Sequence, residues 1–433
     1  MRQVFYLISV VAIFGCVTAA WLTFGAVMTE RTARQDRKLT GRVAELWGIP
    51  HSQQAPQLAF EWGVEREVER TEWSPKGEMV EIREVVVDRH EQAASPRSTA
   101  ITVDLGLDQR RKGLMWYSLY DVDFEGSWTY THDKSTPGEL RITFGFPDPA
   151  GLYDGFHFTV DGEDLASTLE PVAGHVVARI PVEPQQSVSF DIGYRSRGLD
   201  AWRYVPAPDV ANLENFQLAM TTDFDDIDYP PLSLSPSARR HDDEGWSLEW
   251  RYSQIVTGHD IGILMPTHIQ PGGLAAQLSF SAPVSLLFFF LLMVVLAVLR
   301  RIEIHPVNYL FLAAAFFSFH LLFGYLVDHL AVVPAFAICS AVSILLVVSY
   351  LRLVVSARFA FVEAGLAQLV YLIGFSLAHF WEGFTGLTVT VLSILTLFLL
   401  MQMTGRLRWG EALARGSRAA DVEGGPAPSG ARV

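Results

Sequence analysis

Residues that could bind a metal ion or move a proton lie at the ends of apolar stretches in the C-terminal part of the chain. They are His320, Asp328, His329, His379 and Glu382. Imidazole and carboxylate groups are common zinc ligands, and histidine also exchanges protons near neutral pH. Such groups are costly in hydrocarbon and often mark function there. Three interpretations follow: a metal site, a proton-sensing or relay group, or solvated residues that end helices at the membrane interface.

Five apolar segments position these residues. They are Pro283–Leu299, Val307–Val327, Ala331–Leu351, Phe359–Ala378 and Thr385–Met403. Each approaches the roughly 20 residues that a helix needs to cross a bilayer. The joints between them are short and polar, so consecutive spans must run antiparallel.

Arginine in the joints predicts the orientation of this block. Arg300 and Arg301 flank the first joint, and Arg352 and Arg358 flank the third, whereas the alternate joints contain no Lys or Arg. Arginine-rich joints stay cytoplasmic. The sequence therefore predicts a cytoplasmic C-terminus and an extracytoplasmic segment before Pro283.

A further apolar stretch, Val4–Met28, begins the chain, and three interpretations compete for it. It could be a cleaved signal peptide, a lipoprotein signal ending at Cys16, or an uncleaved anchor, and we favour the anchor because the apolar run passes the small residues of a cleavage site. Basic residues from Arg31 to Arg42 follow it and would by themselves invert the topology. The later joints outweigh them, since long domains cross the membrane largely regardless of charge.

Composition limits the partners of the chain. Its 433 residues carry a formal charge of −14. The segment between the first and second spans accounts for more than all of this charge, because the rest of the chain is mildly basic, and such an acidic segment argues against nucleic acid. The two cysteines, Cys16 and Cys339, lie in apolar spans, so no disulfide framework is expected. The common hydrolase, zinc and nucleotide motifs are absent from the sequence, and no cofactor is expected.

The segment between the first two spans has β character. Gln57–Trp73 and Glu78–Arg89 alternate polar and apolar residues around Ser74-Pro75-Lys76-Gly77, which indicates a hairpin. Asp161-Gly162 indicates a two-residue turn. Further predicted strands are Thr99–Leu105, Leu114–Phe124, Glu139–Phe146, Phe156–Val160, His175–Val182, Ser187–Gly193, Phe216–Thr222 and Trp246–Ile255. Such regular short strands predict one or two β-sandwich-like units.

Together these patterns predict six transmembrane helices with a large β-rich extracytoplasmic domain inserted between the first and second. The predicted parts are an N-terminal anchor (1–28), a juxtamembrane helix and linker (29–56), a β-rich domain (57–282), a five-helix block (283–403) and a disordered cytoplasmic tail (404–433). 

Two features of the β-rich domain could carry chemistry. The acidic run Thr222–Asp228 concentrates carboxylates as a calcium loop does, but it lacks the EF-hand glycine and terminal glutamate, which favours a solvated loop. The aromatic residues Trp116, Tyr117, Tyr120, Trp128 and Tyr130 could bind a glycan or peptide, although packing in the core is the simpler interpretation.

Short motifs in a fixed order resemble the CreD family of bacterial inner-membrane proteins. Ile304-His305-Pro306-Val307-Asn308-Tyr309-Leu310, followed by an apolar run and Asp328-His329, is similar to the family's L-H-P-x-Q-Y-L opening and S-E-H closure. Five further stretches resemble family elements: Met28–Arg31, Arg111–Tyr117 around Gly113, Phe146–Leu152 with Asp148 and Gly151, Gly245–Trp250, and Thr404–Trp409. The resemblance runs over roughly residues 28–409, with departures such as Ala150 where the family has arginine.

The resemblance implies an inner-membrane protein tied to envelope integrity and the response to cell-wall stress, with no enzymatic activity to carry over. We therefore favour a non-enzymatic protein whose periplasmic β domain contacts an envelope or cell-wall component or another membrane protein. The alternative is a membrane enzyme or transporter that uses the His and carboxylate cluster. Both predict a multi-pass inner-membrane protein in contact with the lipid bilayer, with a periplasmic domain and cytoplasmic termini.

Overall fold

The computed structural model describes residues 2–73, 79–381 and 383–405, with the side chains of 5–70, 83–381 and 383–405. These residues form two compact units. The first contains residues 2–37 and 269–405, and the second contains residues 38–268. The six helices long and apolar enough to span a bilayer, and the β-rich domain inserted between the first and second of them, agree with the predicted fold class.

The first and second helices extend well beyond the apolar segments of the sequence, and the other helices begin and end within about three residues of theirs. Their bounds are α1 Arg2–Trp47, α2 Pro271–Arg300, α3 Pro306–Leu326, α4 Val332–Val354, α5 Phe359–Phe380 and α6 Thr385–Thr404. α2 begins twelve residues before the predicted Pro283, because Pro271 occupies its first turn, where a missing N–H costs nothing. Pro283 then lies inside the helix.

Large apolar side chains fill the interior of the membrane block. Phe289, Phe316 and Phe319 are fully buried, and the tilted rings of Phe289 and Phe316 have their centroids 4.6 Å apart. α1 packs on this block through Trp21, whose ring lies 5.7 Å from Phe317. Much of the outer surface of the helices is also apolar, as expected of a surface that faces lipid.

The second unit is built from strands. In chain order they are β1 His51–Gln54, β2 Gln57–Trp73, β3 Met79–Ala94, β4 Ser98–Lys112, β5 Met115–Thr131, β6 Gly138–Gly145, β7 Asp154–Val160, β8 Glu163–Asp164, β9 His175–Val182, β10 Ser187–Leu199, β11 Ala201–Val205, β12 Ala211–Thr222, β13 Ala238–Asp242, β14 Gly245–Thr257 and β15 Ile261–Leu264. Alternation is clearest in β4 and β5, where every second residue is buried.

Within the described residues the strands form three sheets. The largest has the order β13-β14-β12-β4-β5-β10-β7-β8, a second has the order β3-β2-β6-β9, and the third has β1-β11-β15. Neighbouring strands are antiparallel except for β4 with β12 and β1 with β11. Side chains from all three sheets share one apolar core, which includes Phe124, Phe144 and Trp202.

Most predicted strands lie inside observed ones, and the Asp161-Gly162 turn joins β7 to β8 with both residues at positive φ. The predicted Ser74–Gly77 turn lies outside the described residues. β1 replaces part of the predicted linker 29–56. The alternation of polar and apolar residues does not reveal β1, because its inward-facing residues, His51 and Gln53, are polar although they are buried.

The last helical turns of α1 belong to the β-rich unit. Val43 is fully buried against Leu119 and Leu199, with Met115 and Tyr117 beside it. The Lys112 ammonium lies 5.1 Å from the centroid of the Trp47 ring and also donates to the Arg42 carbonyl. The chain that leaves α1 is therefore packed onto β5 before β1 begins.

Candidate functional site

Asp328 at the end of α3 is paired with Arg31 of α1. The guanidinium donates to the carboxylate, and it also lies 5.5 Å from the centroid of the Tyr325 ring. The Asp328 side chain is 13% exposed, so the pair is partly withdrawn from water. Two separately predicted motif segments, Met28–Arg31 and Asp328-His329, meet in this contact. Asp328 is therefore engaged by a cation, unlike a solvated residue that merely ends a helix.

His320 and His379 both lie inside the membrane block. Their exposed fractions are 2% and 9%, and the Nδ1 atom of each bonds a carbonyl one turn back, Phe316 O at 3.1 Å and Phe375 O at 3.2 Å. His320 also packs edge-on against Trp21. The two histidines lie in one neighbourhood, because the Phe336 ring contacts both Phe319 and Phe380, their neighbours in the chain.

The remaining members of the predicted cluster do not join this pair. His329 is exposed, and Glu382 lies outside the described residues. Across residues 2–73, 79–381 and 383–405, no group of three or more His, Cys, Asp or Glu side chains has the geometry of a metal site. Among these residues the structure supports a histidine pair rather than a complete ligand shell.

The His305-Pro306 motif starts α3. The His305 Nδ1 accepts from the Val307 N–H at 3.3 Å, and Pro306 takes the first helical position. Tyr309, one turn further, is fully buried and contacts Phe290 and Tyr6. These three motif residues therefore fix the beginning of a helix and its packing.

Two of the β-rich motifs form turns. Gly113 has a φ of +63° between β4 and β5, a conformation that favours glycine. Around Asp148, the Ala150 N–H donates to Oδ1 at 2.9 Å, and the Gly151 N–H donates to the carbonyl at 3.0 Å. The Tyr153 hydroxyl closes this turn on the Asp148 backbone, and burial raises the pKa of Tyr153 to about 12.

Gly245 and Trp250 belong to β14. Gly245 has a φ of +140°, and a Cβ there would lie 2.0 Å from the Thr222 carbonyl oxygen, so no other residue fits without a shift. Trp250 is fully buried and donates from Nε1 to the Leu234 carbonyl at 2.9 Å. Both residues therefore fix the path of β14 beside β12.

Three of these motif residues, Asp148, Gly151 and Gly245, line one cleft in the β-rich unit. Its volume is about 1060 Å³. The acidic residues on its walls are Glu45, Asp104, Asp121, Asp123, Asp148, Asp154, Asp223, Asp242 and Glu244, and the basic ones are Arg195 and Arg197. Apolar groups of Leu105 and Trp246 also face it. We call this feature the acidic cleft.

Only some of these carboxylates are neutralised. Arg197 binds Asp121 at 2.9 Å, which raises the pKa of Arg197, and Arg195 binds Asp154 at 2.8 Å. No hydrogen bond or ion pair holds the side chains of Asp123 and Glu244 within the described part of the chain. The cleft thus retains net negative charge, which favours positively charged groups.

The two features noted in the sequence of this domain have structural roles. The acidic run does not converge on a point, because Asp223 accepts from the Leu107 N–H, Asp225 faces His241, and Asp228 accepts from the Tyr229 N–H. Of the five aromatic residues, Tyr117, Tyr120, Trp128 and Tyr130 are buried in the core. Trp116 is half-buried against His268.

One residue that can be recognised from the sequence, Gln368, is missing from the predicted site residues. Gln368 interrupts the apolar residues of α5 and is fully buried. The cleft carboxylates gave no comparable signal, because they come from separate strands and loops.

The fold and these sites define a multi-pass membrane protein with a β-rich domain inserted between its first and second helices. The sequence model of the family described as Inner membrane protein CreD matches residues 281–410. Over these residues the predicted CreD resemblance is confirmed, and the chain is a multi-pass inner membrane protein.

The other comparisons add little. No curated protein matches the chain. One similar solved structure is a crystal structure of a candidate nutrient binding protein from Legionella pneumophila. It shares 11% sequence identity, covers 46% of this chain and 76% of its own, and has a TM-score of 0.27. At that score the likeness supports no conclusion about this chain.

Proposed function

We propose that this chain is a CreD-type protein that supports cell-envelope integrity or the response to envelope stress. Its β-rich domain lies on the periplasmic side and both termini lie in the cytoplasm. The CreD match over the membrane block and the arginine-rich joints after α2 and α4 support this proposal.

The acidic cleft is the observation that carries the proposal for the β-rich domain. It is large enough for a side-chain cluster of another protein or a segment of a wall component. Its unpaired Asp123 and Glu244 favour a ligand or partner surface with positive charge. Binding there would be non-enzymatic and would weaken as salt concentration rises.

The alternative function, an enzyme or transporter, depends on the polar residues of the membrane block. Asp328 already pairs with Arg31, so it offers no free carboxylate to a metal or substrate. His320 and His379 face the interior of the membrane block. They favour proton movement over metal chemistry as the basis of this alternative function.

Complementation of a deletion strain tests the function. The strain should become sensitive to wall-targeting antibiotics and detergents, and the wild-type gene should restore resistance. An Asp123→Asn, Glu244→Gln double variant should fail to restore it. The matched control, Glu65→Gln with Glu67→Gln on the exposed hairpin, should restore resistance fully.

Photo-crosslinking tests the partner. A photoreactive residue in place of Trp246 in the cleft should capture an envelope component or protein, and the capture should fall with added salt. The same residue in place of the exposed Val177 serves as control. Equal capture at both positions, or normal resistance with the cleft variant, would refute a role for the cleft.

A further inference from the structure

The fifth membrane helix has an irregular backbone. Two segments of α5, Phe359–Ala364 and Leu369–Gly374, adopt π-helical turns on either side of a short α-helical turn. Such turns are rare and occur often at functional sites. Gln368 lies between the two segments.

Gln368 is fully buried, and only part of its amide is satisfied. Its Nε2 donates to the Ser343 hydroxyl at 2.8 Å, and that hydroxyl donates to the Ala315 carbonyl at 2.7 Å. Its Oε1 has no hydrogen-bond partner among the described residues. An unsatisfied carbonyl in hydrocarbon costs several kcal/mol, so a donor is needed here.

Glu363, five residues before Gln368, has a similar free oxygen. One carboxylate oxygen of Glu363 accepts a hydrogen bond from Arg300 of α2, and not from Arg358, which lies only five residues earlier in the chain. The other, Oε2, is buried without a partner in the described part of the chain. A carboxylate and an amide on successive turns of α5 thus both present acceptors to the interior.

His320 of α3 and His379 of α5 present hydrogen-bond acceptors near the C-terminal end of α5. A carbonyl oxygen can only accept, so the Nδ1 of His320 and of His379 must carry the hydrogen that each bonds to its carbonyl. In the neutral ring, Nε2 is then the acceptor. Trp21 packs against His320, and its Nε1–H is a buried donor without a partner among the described residues.

Buried serines fill the interval between these ends. Ser343 is level with Gln368, because the two side chains are bonded, and Phe336 is level with Phe380, because their rings lie 5.1 Å apart. Ser340 of α4 therefore lies between these levels, as does Ser376 on α5, and both are buried. Polar side chains therefore lie at several levels between Gln368 and the histidines.

We propose that these groups line a hydrated path through the membrane block, from Glu363 past Gln368 to the His320–His379 pair. Glu363 and His379 are sixteen residues apart, which is at most about 24 Å along the helix axis, because the π-helical turns rise less per residue than α-helical ones. That is most of the roughly 30 Å of hydrocarbon. Water molecules in the path donate to the free oxygens of Gln368 and Glu363, and a chain of water, carboxylate and imidazole groups carries protons.

Proton flux into liposomes tests the path with the full-length protein. The vesicles contain a pH-sensitive dye, and a potassium gradient with valinomycin drives protons inward. The wild-type protein should acidify the interior several-fold faster than protein-free vesicles do. Gln368→Leu and His379→Phe should each reduce the rate towards the protein-free value, because each replaces a polar group of the path with an apolar one.

Matched variants separate this result from misfolding. Thr390→Val changes a lipid-facing polar residue and should leave the rate unchanged. Gln368→Glu keeps an acceptor at the same position and should retain flux. Wild-type flux equal to that of empty vesicles, or a His379→Phe variant as fast as the wild type, would overturn the proposal. Glu65→Gln on the exposed hairpin of the β-rich domain should not alter flux, and because flux is measured without the envelope phenotype, this test is independent of the proposed envelope function.

Discussion

The carboxylates of the membrane block and those of the β-rich domain differ in whether they pair with a cation. In the block, the half-buried Asp328 and Glu363 each meet an arginine, Arg31 and Arg300. In the acidic cleft, nine carboxylates line the walls beside only two arginines, and Asp123 and Glu244 have no partner within the described residues. Hydrocarbon makes an unpaired charge expensive, whereas water solvates it cheaply.

This difference separates carboxylates that stabilise the fold from carboxylates that are available to bind a partner. The Arg31–Asp328 pair of the block holds two helices together and leaves Asp328 little freedom for binding. An unpaired carboxylate in the cleft adds little stability and is free to meet a partner.

The Gly245 backbone should be the most sensitive point of the cleft. Gly245→Ala places a Cβ 2.0 Å from the Thr222 carbonyl in a conformation that L-residues avoid, and should lower the free energy of unfolding by about 3 kcal/mol or more. Gly162→Ala is the control, because Gly162 also has positive φ but nothing within 4 Å of its Cβ position. It should cost about 1 kcal/mol. Denaturant unfolding of the full-length protein in detergent measures both, and equal losses would contradict the overlap argument.

His51 should make the β-rich domain sensitive to acid. Burial lowers the pKa of His51 to about 4, although the Asp148 charge acts in the other direction. The unfolded value is about 6.5, so the neutral form stabilises the fold above that pH, and this contribution is lost as pH falls from about 6.5 to 4. The loss should reach about 3 kcal/mol.

Unfolding measured at pH 7 and pH 4.5 checks this expectation. His51→Gln, which does not titrate, should show a smaller fall in stability over the same interval. His132→Gln is a control at a buried histidine whose two ring nitrogens are both bonded. An unchanged pH dependence in His51→Gln would show that another group is responsible.

The Arg31–Asp328 pair should couple α1 to α3. A double-mutant cycle with Arg31→Ala and Asp328→Ala should give a coupling energy of about 1–2 kcal/mol, between the values for exposed and buried pairs. The exposed Arg34–Glu30 pair on α1 provides the comparison and should give little or no coupling, because water screens both charges. Equal coupling in the two cycles would remove the contrast between the partly buried and exposed pairs.

The smallest expected effect is at the start of α3. His305→Ala removes the side chain that accepts from the Val307 N–H, and should cost about 1 kcal/mol. His305→Asn retains a capping acceptor and should cost less. Thermal unfolding of the membrane block measures the difference, and identical values for the two variants would exclude a capping role for His305.

The helices were predictable because lipid-facing residues must be apolar over a fixed length. Most strands were also predictable, because every second residue in β4 and β5 enters the core. β1 and the early start of α2 were missed. His51 and Gln53 are buried polar residues, and the residues before Pro283 include glycine and polar side chains, so neither segment shows the expected pattern.

The sites were less predictable because they join residues that are far apart in the chain. Arg31 and Asp328 are separated by 297 positions, and nothing in either local sequence identifies the other as its partner. Asp148 and Gly245 meet at one cleft only after the strands have paired. Gln368 is a partial exception, because an amide side chain within an apolar span can be recognised from the sequence. The sequence does not reveal that its Oε1 atom lacks a partner among the described residues.

The side of the membrane that receives the β-rich domain tests the proposed function most directly. Alkaline phosphatase, which is active only outside the cytoplasm, is fused after Asp209 in an exposed loop of the domain, and a fluorescent protein that matures only inside is fused at the same point in a second strain. We expect high phosphatase activity and no fluorescence. Fluorescence without phosphatase activity would place the acidic cleft in the cytoplasm and contradict a periplasmic binding role.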